Sequence, residues 1–147
     1  MNNRTRSGRG ARWSGIAWAV GIAALIAALP WAASGRLPDR LATHWAFGDG
    51  TPDDSMPLWA ASVFPGLIWL FLAAVVLATL WRGADAARVQ GETWAATSLL
   101  SGGVLLAGAQ AAVVRANLDR ADWHDARQPT LWLVVTLVAT LAGGFAG

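Results

Sequence analysis

Four stretches of the chain carry no Asp, Glu, Lys or Arg: Trp13 to Gly35, Ser55 to Trp81, Thr93 to Val114 and Gln128 to Gly147. Each reaches the about 20 mostly apolar residues that a helix needs to cross a hydrocarbon core roughly 30 Å thick. A helix lying on a soluble core keeps one wet face at a 3.6-residue period, and these stretches have none. The pattern predicts an all-α integral membrane protein, a bundle of about four transmembrane helices over residues 13–33, 57–81, 93–114 and 130–147. Between them lie two polar loops, 34–56 and 115–129, both expected to be structured and to share one side of the membrane. Residues 1–12, with Arg4, Arg6, Arg9 and Arg12, read as a disordered basic tail.

Local signals refine this outline. Pro57 suits a first helical turn, where its missing N–H is not needed, and Asp53 or Ser55 is a candidate cap for the second span. Pro65 falls inside that span and predicts a kink. The first span also has an Arg-rich start and small residues at Ala32, Ala33 and Ser34, as a cleaved signal peptide would. Its apolar part exceeds the 7–15 residues of such a signal core, and a retained helix is the simpler expectation. Six of the ten tryptophans, Trp13, Trp31, Trp59, Trp81, Trp94 and Trp132, fall at span ends, where amphipathic rings favour the interface. Trp45 and Trp123 fall in loops, and Trp18 and Trp69 lie deeper.

Composition agrees. The chain is 55% hydrophobic and 14% charged, against about 25% charged for an ordinary soluble domain. Every basic residue is Arg, and the formal charge of +2 with no aromatic-laced basic patch gives nucleic-acid binding no support. The four Arg ahead of the first span favour a cytoplasmic N-terminus in the plasma membrane, with both long loops outside.

With no hydrophobic drive between helices in lipid, small residues let backbones approach. Gly103, Ala107 and Ala111 recur every four residues in the third span, as do Gly108 and Ala112. That helix is the expected centre of the bundle. Ala17 and Gly21 in the first span, and Ala139, Gly143 and Gly147 in the fourth, are further candidates. Gln110, the one amide within a span, is expected to hydrogen-bond across helices. An intramembrane charge would mark an ion or proton pathway, and the spans contain none.

Chemistry is sparse. There is no cysteine, and His44 with Asp39 falls short of a zinc ligand set unless His124 joins it. Asp49, Asp53 and Asp54 lack calcium-loop spacing. No nucleophile, phosphate-loop or metalloprotease motif appears, so neither an enzyme nor a cofactor is expected.

The most distinctive segment runs from Leu37 to Pro57. Gly48, Gly50 and Pro52 permit tight turns, and His44, Trp45 and Phe47 occupy a short element suited to the membrane surface. Leu37, Pro38, Asp39, Arg40, His44, Trp45, Gly50, Pro52 and Asp53 resemble the motif of the DUF1648 family, which follows a first transmembrane helix. Ala42 stands where that motif has a second proline, and Ser55, Met56 and Pro57 replace its Lys-containing ending. The segment Asn117 to Ala126 resembles a second loop of actinobacterial relatives. The resemblance implies kinship with SdpI immunity proteins, which protect a bacterial membrane against a toxin and signal its presence by holding a repressor at the membrane. The implied partners are the lipid bilayer and a membrane or extracellular protein or peptide. A small transporter or channel component is the alternative.

Overall fold

The computed structural model describes residues 2–46, 48–82 and 88–146; Phe47 and the middle of the connector after Arg82 lie outside them. Four helices account for most of the chain: α1 (Asn2–Ala32), α2 (Leu58–Arg82), α3 (Arg88–Asn117) and α4 (Thr130–Ala146). Three of them contain segments long and apolar enough to cross a membrane, Arg12–Ala32, Leu58–Arg82 and Gln90–Asn117, while the apolar part of α4 is shorter.

Two expectations change. The fold is not purely helical, because the first polar loop contains an antiparallel hairpin, β1 (Arg40–Trp45) and β2 (Pro52–Pro57). Its tip turns through Gly48 at φ 109° and Gly50 at φ 67°, a region that only glycine enters without strain. The residues expected to cap α2 are engaged in this hairpin, and Pro57 ends β2 rather than opening the helix. The second difference is in the tail expected to be disordered, which continues α1 back to Asn2. The first proline of the chain is Pro30, and Gly8 and Gly10 each weaken a helix by only about 1 kcal/mol. Nothing therefore interrupts the backbone ladder.

The bundle is built around α3, which touches all three other helices, whereas α4 packs chiefly on α3. Trp69, Ile22, Ile26, Ala73, Leu77 and Leu99 form the buried cluster between α1, α2 and α3. Gly102 and Gly103 make room for two large rings there. A β-carbon at 103 would lie 2.9 Å from Trp18 Nε1, and one at 102 would lie 3.3 Å from Trp69. Each ring also satisfies its N–H on a neighbouring helix. Trp18 donates to the carbonyl of Leu99 on α3, and Trp69 to that of Ala19 on α1, both at 2.8 Å. Gly108 faces Thr136 so closely that a β-carbon would overlap it, and this contact seats α4.

The four-residue series is only partly right. Gly103 is buried and Ala107 packs against the core, but Ala111 is exposed. Steps of four residues turn about 40° past a full circle, so the series winds off the face, whereas steps of seven drift only about 20°. The residues that stay on the inner face are Gly103, Gln110 and Asn117, all buried. In α1, Ala17 and Gly21 are exposed and do not form a contact face. In α4, Gly143 lies against Leu100 and Ser101 of α3, but Ala139 is exposed, and Gly147 lies outside the described residues.

Candidate functional site: the docked hairpin

Proline sets up the polar core of the bundle. Pro30 in α1 and Pro65 in α2 have no N–H to give to the carbonyls four residues earlier, those of Ile26 and Ala61. Gln110 fills both vacancies. Its Nε2 donates to Ile26 O at 3.0 Å and to Ala61 O at 2.8 Å. One amide group thus satisfies, from a third helix, the carbonyl that a proline frees in each of two continuous helices, which is how prolines are accommodated in membrane-spanning helices.

Two turns further along, at the end of α3, Asn117 repeats the device on the hairpin. It is fully buried. Its Oδ1 accepts from Ala42 N at 2.8 Å, and its Nδ2 donates to Ala42 O at 2.9 Å and to Val113 O at 2.9 Å. The side chain pairs with Ala42 as a neighbouring strand would, and it seats Leu41 and Ala42 with no exposed surface.

The second polar loop closes over the same end. Asp119 adopts φ 56°, its N–H donates to Arg36 O at 2.8 Å, and its carboxylate accepts both Arg36 Nε at 2.9 Å and Nη2 at 2.5 Å. This bidentate pair, with the backbone bond, ties the end of α1 to the end of α3. Hydrogen bonding from Arg36 holds the Asp119 carboxyl below the usual carboxylate range and raises the guanidinium in turn. In the turn Trp123–Asp125, Asp122 accepts from the backbone N–H and the ring of His124, and both contacts lower its pKa. Trp123 stacks on that ring with centroids 3.6 Å apart.

The motif residues then separate by role. Arg40 spans the strands to Ser55, with Nε to Oγ at 2.9 Å and Nη2 to the carbonyl at 2.8 Å. His44 Nδ1 meets Asp53 Oδ1 at 2.6 Å on the exposed face. Asp49 caps the tip by accepting from the N–H and hydroxyl of Thr51, which lowers its pKa. Leu37, Pro38 and Pro52 are half-buried, and Gly50 sits against Gln128 of the other loop. Asp39 is exposed and bonds to neither His44 nor Asp53, so His44 pairs with Asp53 and not with Asp39. Trp45 buries its indole N–H with no acceptor among the described residues. Among those residues no cluster of three or more His, Asp or Glu is arranged to hold a metal.

Sequence reasoning singled out Gln110 but not its two acceptors, and it missed Asn117 as the hairpin anchor. The legible signals were a proline in each of two spans and, within and just past the third, two amides seven residues apart. No family model, curated protein or solved structure matches the chain.

Proposed function

We propose that the chain is a DUF1648-like multi-pass protein of the plasma membrane, N-terminus cytoplasmic, which senses or confers immunity to an extracellular protein or peptide through its hairpin. The observation that supports this reading is a hairpin anchored from beneath and polar on top. Asn117 and the Arg36–Asp119 pair fix its base, while the side chains of His44 and Asp53 remain 66% and 48% exposed. A segment ordered in this way presents its surface without a further ordering cost, which is roughly 1–2 kcal/mol per residue for a loose loop. The role is one of recognition, with no catalytic step and no cofactor. A small transporter or channel component is the alternative, and the absence of Asp, Glu, Lys and Arg from the four apolar stretches counts against it.

The test has two parts. Single cysteines at Thr51 and Ala121 should react with a membrane-impermeant thiol reagent in intact cells, and those at Ser7 and Ala86 should not. Cells expressing the chain should then survive a membrane-active toxin peptide better than cells without it. Replacing both His44 and Asp53 by Ala should remove that protection while leaving the protein level unchanged. Labelling at Ser7 with none at Thr51 would reverse the orientation. Unchanged protection in the double variant would remove the hairpin surface from the mechanism.

A further inference from the structure

At the end of the bundle that carries the hairpin, a cleft of about 630 Å³ opens between the end of α3 and the start of α4. Four arginines line it, Arg36, Arg115, Arg120 and Arg127, against the single carboxylate of Asp119. Arg36 is neutralised by that carboxylate. Arg115 is held with its guanidinium 4.9 Å above the Trp132 ring, an arrangement that fixes the group while leaving its N–H donors free to point sideways. Arg120 and Arg127 have no carboxylate within ion-pair distance among the described residues. Arg115 at the end of α3 and Arg120 and Arg127 in the loop that follows therefore face one concavity with no direct ion-pair partner among the described residues, Asp119 and Asp49 acting on Arg120 and Arg127 only at longer range.

The cleft's depth says what could answer it. Trp132 lies in the first turn of α4 and Trp31 in the last turn of α1, so both rings mark the same interfacial level. Below the arginines the wall continues as Leu131 and Trp132, which are exposed apolar surface. A guanidinium fork matches the paired oxygens of a phosphate, and phosphate is the anion concentrated at that level of a bilayer. We propose that this cleft is a phosphate-binding site, filled by the phosphodiester of an anionic phospholipid whose acyl chain lies along Leu131 and Trp132. Binding there would brace α4, which otherwise packs chiefly on α3, against the Arg36–Asp119 tie beneath the hairpin.

The proposal rests on the membrane-spanning reading, which resistance of the protein to alkaline carbonate extraction checks separately. The experiment is native mass spectrometry of the protein in neutral detergent, titrated with phosphatidylglycerol, phosphatidylcholine or inorganic phosphate. One phosphatidylglycerol should be retained in preference to phosphatidylcholine. Arg120→Gln with Arg127→Gln should weaken that retention by roughly tenfold or more, while Arg9→Gln with Arg12→Gln, near the opposite end, should leave it intact. If inorganic phosphate displaces the lipid from the wild type, the site is a phosphate site open to the soluble ion as well. If it does not, the lipid is the specific ligand. Equal phosphatidylglycerol retention by the cleft variant and the wild type, or an equal loss in the tail variant, would overturn the proposal.

Discussion

The side-chain amide of Gln110 donates to the carbonyl of Ala61 at 2.8 Å, the oxygen that Pro65 leaves without its helical donor. With the matching bond to Ile26, four residues before Pro30, it couples two proline positions to one side chain. The coupling is measurable. Gln110→Leu keeps the volume but strands two buried carbonyls, and should cost about 1–2 kcal/mol in detergent stability. In a Pro30→Ala, Pro65→Ala background the restored N–H groups can close both ladders, and the same substitution should cost much less. Equal costs in the two backgrounds would show that Gln110 does not serve the proline-freed carbonyls.

Glycine positions on α3 should differ by what they face. Gly103→Leu drives a side chain into Trp18, displaces the ring from the Leu99 carbonyl and should destabilise the three-helix core strongly. Leu106→Ala, at a half-buried site, should cost less. Gly108→Leu should act on α4 alone, so that a disulfide engineered between α3 and α4 forms poorly while the α1–α3 contact persists. Gly21→Ala, where no atom lies within 4 Å of the new carbon, should be nearly neutral. Similar thermal midpoints for the Gly103 and Leu106 variants would remove Gly103 from the centre of the bundle.

The sequence made the helices legible because charge exclusion is a long-range signal that needs no partner. The second span, expected over 57–81, is observed over Leu58–Arg82. The hairpin was harder to read. Its strands do not alternate simply, since Leu41 and Ala42 are both buried and the register is irregular around His44. What makes Ala42 a buried strand residue is Asn117, seventy-five positions away. Such a bond has no local pattern. The packing face of α3 was misjudged at Ala111 for a geometric reason, because a four-residue repeat leaves the face that a seven-residue repeat keeps. His44 drew attention as a chemical residue, yet it lies on the exposed side and the base of the hairpin is held by an amide.

Acid should loosen the hairpin end of the bundle before it affects the helices. Asp119, Asp122 and Asp49 all have carboxyls lowered from the ordinary value of 3.8 by hydrogen bonds made in the folded protein. A depressed folded pKa gives a contribution that is complete above the unfolded value and is lost as pH falls through the folded one. The thermal midpoint in detergent should therefore be flat near neutrality and fall as pH drops below about 3.8. Asp119→Asn should lower the neutral-pH midpoint modestly and flatten part of the acid limb, since Arg36 stays charged throughout. An identical acid limb in that variant would separate the Arg36–Asp119 tie from acid sensitivity.

The final prediction ranks the two polar residues that hold the hairpin. Asn117 is fully buried and makes three hydrogen bonds, two of them to Ala42. Removing it leaves the N–H and carbonyl of a buried strand residue unpaired, at a cost of about 2–3 kcal/mol. His44 makes one contact to Asp53 on the exposed face, where solvent replaces a lost partner. Trypsin reads the difference directly, because Arg36 and Arg40 lie at the base of the hairpin. Asn117→Ala should speed cleavage there by roughly tenfold or more, as about 1.4 kcal/mol of opening free energy corresponds to one decade. His44→Ala should leave the rate close to that of the wild type, and both proteins should still insert into membranes. Fast cleavage in the His44 variant with slow cleavage in the Asn117 variant would place the anchor on the outer face and sink the account of a hairpin docked on α3.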